Sequence, residues 1–271
     1  MERSSSETAN KRIKFENPPI NELVMALYHL PIMDMKAQHI GLYWNRIRDR
    51  YPSCEQRPMV ASGEGSPYRE APNEVFPLPR FWFFRDQNDP TLIQIQRNAF
   101  LFNWRRRGDG GEANYPHYET VAQDFWQEFG DYHAFIQEWG WEGLDTIRRC
   151  ELNYINVIST NEIFANPAQL MNVLPPITNL SALQTDDRRM IEMNTTVTYQ
   201  MNENLNISMN IRLGRRTDTN ELAAILDLKA HGAPSVSFEE LRSWYDSAHE
   251  AVHKMFLDAT SPEAKEIWRP L

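Results

Sequence analysis

The sequence predicts an α+β protein: an antiparallel sheet of about seven to eight strands with three long helices packed on one face. Three observations carry this. Short segments of alternating apolar residues come in clusters joined by short polar turns, as antiparallel pairing requires. Three longer segments place apolar residues at three-to-four spacing. The order of these pieces repeats in outline. Strand, helix, three strands and a long helix are followed by strand, irregular segment, three strands and a long helix. That outline suggests a pseudo-duplication of strand-helix-three strands-helix, although the sequence shows no clear internal similarity. The reading gives a polar N-terminal arm at 1–16, an α+β half at 17–145 and a second at 146–271, joined as one continuous domain.

Asn17-Pro18-Pro19-Ile20 is an extended lead-in, because proline disfavours helix at its own and the preceding position. Glu22 to Leu30 reads as the first strand. Met33 to Tyr51 reads as a helix, with Ala37, Ile40, Tyr43/Trp44 and Ile47 on one stripe. Residues 52–79, rich in Pro, Ser, Gly and Glu, read as a long loop. Phe81 to Phe84 is a strand, and Leu92 to Gln96 with Ala99 to Arg105 form a hairpin about Arg97-Asn98. Pairing across that turn sets Gln96 opposite Ala99, Ile95 opposite Phe100 and Ile93 opposite Phe102. One face is then a core face, and the other, with Gln94, Gln96, Asn103 and Arg105, is mixed.

Gly108 to Gly111 interrupts the chain before a second helix at about His117 to Trp139, striped by Val121/Ala122, Phe125, Phe129, Tyr132 and Ile136. Residues 146–158 form a strand, and 160–187 an irregular crossing. Met190 to Gln200, Leu205 to Leu213 and Leu222 to Ala230 are three more strands. A last helix begins at Ser237, where Ser237 and Glu240 make a capping box. Its stripe is Leu241, Trp244, Tyr245, Ala248, Val252, Met255 and Phe256. Ser261-Pro262 ends it, and a short tail runs on to Trp268.

The 271 residues carry 28 Lys+Arg against 37 Asp+Glu, a net charge of −9. Most of that acidity lies in 136–271, which disfavours general binding to phosphate backbones. Mean hydropathy is −0.60 and no apolar run approaches a membrane span. Cys54 and Cys150 have no metal-like spacing and fit a reducing compartment, so a cytoplasmic location is expected. No signal-peptide pattern opens the chain.

One motif could carry chemistry. His249-Glu250-Ala251-Val252-His253 matches H-E-x-x-H, in which two histidines on one helix face bind zinc and the glutamate acts as base. The helical wheel argues against it. The apolar stripe centres near Leu241, Ala248 and Val252, leaving His249 at its edge and Glu250 nearly opposite. No third histidine follows. His117 and His133 read as surface or packing residues, and Trp82, Trp104, Trp126, Trp139 and Trp141 as core aromatics. The Arg105-Arg106-Arg107 run reads as a solvated turn. No Gly-rich phosphate loop or nucleophile elbow is present.

Several short motifs in order resemble a family. They are Asn17-Pro18-Pro19-Ile20-x-Glu22, Tyr51-Pro52, Ile93-Gln94-x-Gln96, Asn103-Trp104-Arg105, Tyr115-Pro116-x-Tyr118-Glu119, Tyr154-x-Asn156 and Trp244…Ala248-His249-Glu250…Phe256. Together they resemble a sporadically distributed family of prokaryotic proteins of about this length, over nearly the whole chain. That family has no established activity, so the resemblance carries no catalytic residue across. A patchy distribution implies an accessory gene, such as part of a defence or toxin-regulating locus.

The expectation is a binding or interaction protein rather than an enzyme, using Gln94, Gln96, Asn103 and Arg105 on the mixed sheet face. The partner is expected to be another protein or a second copy of the chain, with a small molecule as a further option. Nucleic acid and membrane are disfavoured, and no cofactor is expected. Two alternatives stand: a zinc-dependent hydrolase using His249, His253 and Glu250, and a fold gripping an apolar small molecule.

Overall fold

The computed structural model describes residues 13–60, 78–107, 115–142, 144, 146–177, 190–216, 219–233 and 237–271. Most of the N-terminal arm, most of the loop expected at 52–79, the glycine run at 108–111 and the end of the 160–187 crossing lie outside the described residues.

Among the described residues, nine strands form one antiparallel sheet. They are β1 (Ile20–His29), β2 (Ser53–Arg57), β3 (Arg80–Phe84), β4 (Thr91–Gln96), β5 (Ala99–Arg105), β6 (Ile147–Ser159), β7 (Met193–Asn202), β8 (Leu205–Arg215) and β9 (Leu222–Gly232). The order across the sheet is β2-β3-β4-β5-β1-β6-β9-β8-β7. The two halves therefore share one sheet. β1 and β6 pair at its centre, and each half runs outward in the same sequence order. The fold class is as the sequence predicts. The ninth strand is β2, which lies in the expected loop. Its sequence, Ser-Cys-Glu-Gln-Arg, has no apolar alternation to announce it, and it is held by pairing with the aromatic β3.

Three helices of 11, 22 and 22 residues complete the layer: α1 (Ala37–Ile47), α2 (His117–Glu138) and α3 (Phe238–Ala259). A short α4 (Pro262–Ile267), capped by Ser261, occupies the expected tail. One core joins the buried stripes of α1, α2 and α3 to the same face of the sheet. That face carries Leu23, Met25 and Leu27 of β1, Phe100, Phe102 and Trp104 of β5, and Leu152 of β6. The core is densely aromatic. Tyr43, Phe83, Phe100, Phe125 and Tyr132 are all nearly fully buried; Tyr43 meets Phe83 and Tyr132 edge-on, Phe100 meets Phe125 at a tilt, and Phe100 stacks on Tyr132.

The hairpin register is as expected, with Gln96 opposite Ala99, Ile95 opposite Phe100 and Ile93 opposite Phe102. The capping box at Ser237 is present: its Oγ accepts from the Glu240 N–H. Residues 160–177 contain two 3-10 turns, Pro167–Asn172 and Pro175–Ile177. Tyr245 ties α3 to the sheet by donating to the Ala26 carbonyl over 2.6 Å. At the other end, Glu128 of α2 accepts from Arg50 and from the Tyr51 hydroxyl, which fixes the chain leaving α1.

The two sheet edges differ. β2 is short and charged. β7 has ten residues, no charge, and exposed Val197, Tyr199 and Met201. No helix among the described residues is long and apolar enough to cross a membrane.

Candidate functional site

Alternation along β6 puts Leu152, Tyr154 and Asn156 on the helix-covered face. Tyr154 thereby meets α3, and the amphipathic wheel of α3 turns His249 toward it. Tyr154 Oη and His249 Nδ1 lie 2.8 Å apart, and Tyr154 Oη lies 3.3 Å from the Tyr115 hydroxyl. Pro116 and His117, the latter with φ of +67°, turn the chain sharply into α2. That turn brings Tyr118 flat against His249, with ring centroids 4.1 Å apart and planes 10° from parallel. The Tyr118 hydroxyl donates to Asp246, one turn before His249 on α3.

These side chains line a cavity of about 90 Å³ between the start of α2, the middle of α3 and the centre of the sheet. Its walls are mostly apolar: Phe15, Pro18, Ile20, Leu228, Val252 and Phe256. Phe15 closes one side. It is held by a strand-like bridge to Pro270 and by edge-on contact with Phe256 and Trp268. The polar groups converge at the tyrosines. Burial pushes the Tyr154 and Tyr115 hydroxyls well above the usual phenol range, so both stay protonated at any ordinary pH. The three groups then form a chain with two consistent proton arrangements. Either Tyr115 donates to Tyr154 and Tyr154 to His249, or His249 donates to Tyr154 and Tyr154 to Tyr115. Asn156, also buried, donates to the Leu226 carbonyl across the sheet.

The H-E-x-x-H residues fall as the helical wheel expects: Ala248 and Val252 are buried, His249 is half-buried and Glu250 is exposed. The two imidazoles lie parallel, 6.2 Å apart. His249 Nδ1 meets Tyr154, and His253 Nε2 donates to the Ile13 carbonyl over 2.9 Å. One nitrogen of each ring is thus engaged away from a common point. Among the described residues, no group of three or more His, Cys, Asp or Glu side chains is placed to hold a metal ion.

The other four candidates lie on the opposite face of the sheet. Gln94 and Asn103 meet directly, the Gln94 amide donating to Asn103 Oδ1 over 2.6 Å. Gln94 Oε1 accepts from Arg80 and from the Trp82 indole N–H, while Asn103 donates to Glu22. Gln96 is apart from them. It exchanges two hydrogen bonds with the Val60 backbone and donates to Asn98. Both glutamines and Asn103 are buried, so their amides hold the sheet's second face together. Arg105 is half-buried, against the Trp82 ring. Its neighbours are not a free turn either: Arg106 donates to the Pro18 and Ile20 carbonyls and Arg107 to that of Asp89.

Of the residues that line the cleft, only His249 and His253 stand out by residue type in a recognised pattern. Tyr115, Tyr118 and Tyr154 do not. The signal available for them is a tyrosine and an asparagine on the core face of β6, where apolar residues are the rule. Pro18, Ile20, Tyr115, Tyr118, Glu119, Tyr154, Asn156, His249 and Phe256 come from four separated stretches and all line this one cavity. Compared with protein-family models, with curated proteins and with solved structures, the chain finds no match.

Proposed function

We propose that the chain is a binding protein whose ligand is a small, largely apolar molecule held in the tyrosine–histidine cleft. The observation that carries this is an apolar cavity into which a hydrogen-bonded tyrosine–tyrosine–histidine chain opens. A mostly apolar lining with a few convergent polar groups is the usual form of a small-molecule site. The lining favours an aromatic or branched aliphatic body, because Phe15, Tyr115, Tyr118 and Phe256 offer ring edges and faces. The tyrosine–histidine chain favours one hydroxyl or carbonyl on that body. Because the chain can reverse its protons, it can donate to a carbonyl or accept from a hydroxyl.

Native mass spectrometry of protein purified from its own host tests this. The expected result is a mass increment released as one organic molecule, and lost in Ile20→Trp, which fills the cavity from its half-exposed wall. An increment that persists in that variant, or a bare chain together with no effect of added aromatic alcohols on thermal unfolding, contradicts it.

We also propose that β7 pairs with β7 of a second copy. Exposed edge strands ordinarily carry charge or proline that blocks such pairing, and Met193–Asn202 carries neither. Sedimentation equilibrium should give a dimer that Val197→Lys converts to monomer. A monomer at all concentrations contradicts this.

A further inference from the structure

On the sheet face away from the helices, three guanidinium groups surround one indole. The guanidinium carbons of Arg57, Arg80 and Arg105 lie 4.5, 5.5 and 5.6 Å from the Trp82 ring centroid. The topology explains the gathering. Arg57 and Arg80 are directly paired across β2 and β3, and Trp82 follows two residues on from Arg80 on the same face. Arg105 arrives from the end of β5.

The cations in this cluster are unevenly neutralised. Arg57 pairs with Glu55. Arg80 donates through Nη1 to the neutral Gln94, and its Nε is buried without a hydrogen-bond partner among the described residues. Arg105 Nε is buried in the same condition, and its guanidinium makes no hydrogen bond or ion pair with a described residue. Glu22, its partner across β1 and β5, and Asp89 act on Arg105 through space, while Glu22 accepts its hydrogen bond from Asn103 and burial raises the Glu22 pKa. Burial lowers the pKa of both Arg80 and Arg105, with Arg57 adding to this at Arg80 and Arg107 at Arg105, while Glu22 and Asp89 oppose it at Arg105. Arg80 and Arg105 are half-buried and hydrogen-bonded to no carboxylate, which is costly, and contact with an indole face offsets only about 0.5–2 kcal/mol of that. Guanidinium groups gathered about one indole supply the forked N–H donors and positive charge that suit a phosphate.

We propose that Arg57, Arg80 and Arg105 around Trp82 form an oxyanion site that takes a phosphate group. This site is separate from the cleft and does not depend on it. The phosphate either is the free ion or belongs to a nucleotide, and the experiment separates the two.

Calorimetric titration of the intact chain at low ionic strength, with inorganic phosphate, adenosine monophosphate and acetate in turn, tests the proposal. Phosphate should bind saturably with Kd of about 1 mM or tighter, and acetate at least about tenfold more weakly. Arg105→Gln should weaken phosphate at least about tenfold, and Arg57→Gln several-fold. Arg57 is exposed, so its variant reports on the site even if Arg105→Gln fails to fold. Tighter binding of the nucleotide than of phosphate assigns the site to a nucleotide, and equal binding to the free ion. The proposal is overturned by no saturable heat up to about 20 mM phosphate, by unchanged affinity in Arg57→Gln, or by acetate binding as well as phosphate.

Discussion

His29 makes the stability of this fold depend on pH in a calculable way. It ends β1, fully buried, with Nδ1 donating to the Leu30 carbonyl over 2.8 Å and Nε2 left without a partner. Burial outweighs that hydrogen bond and lowers the imidazole pKa from 6.5 to about 4. The folded protein therefore keeps the ring neutral where the unfolded chain binds a proton. Stability is full above about pH 6.5 and is lost as the pH falls from there toward 4. At pH 5 the window crossed is about 1.5 pH units, worth about 2 kcal/mol at 1.36 kcal/mol per unit. For a chain of this size that corresponds to a fall in Tm of about 4 °C.

His231, whose pKa burial also lowers, acts in the same direction, while Glu22 and Asp227, raised by burial, act in the opposite one. His29→Asn keeps a donor near the Nδ1 position and removes the titration, so the difference between wild type and variant isolates His29. Urea unfolding at pH 7 and pH 5 should show wild type losing about 2 kcal/mol more than His29→Asn. Equal losses in the two proteins would refute the assignment.

Two further outcomes follow from packing. A Cβ at Gly232 would sit 1.9 Å from the Asn204 carbonyl oxygen, which also accepts from the Trp244 indole over 2.8 Å. Gly232→Ala should cost about 2–4 kcal/mol, read by chemical unfolding, and Trp244→Phe should cost less in that background than in wild type. Glu128→Ala removes the acceptor of the Tyr51 hydroxyl and the main partner of Arg50, so a loss of about 2–3 kcal/mol is expected, with faster proteolysis near residue 51.

Local patterns in the chain carry the sheet well. Alternation and the Arg97-Asn98 turn define the β4–β5 register residue by residue, because a one-residue slip would turn Ile93, Phe100 and Phe102 outward. The Ser237 capping box defines the start of α3 for a similarly local reason. β2 is hidden because its stability comes from the partner strand and not from its own residues. The cleft is hidden because its hydrogen bonds join Tyr115, Tyr154 and His249, and nothing local encodes how β6, α2 and α3 come together. The four polar residues of the hairpin face are legible as sharing a face. The bonds that Gln94 and Asn103 make are not, since they run to Arg80, Trp82 and Glu22 on two other strands.

The central claim is that the cleft beside Tyr154 and His249 binds a small molecule. Methyl-labelled NMR of the intact chain, titrated with p-cresol as probe, tests it most directly. The account predicts saturable shifts confined to the methyls of Ile20, Leu228 and Val252, the cavity's aliphatic walls, and their loss in Ile20→Trp. Shifts centred elsewhere, or none up to the solubility of the probe, would contradict it.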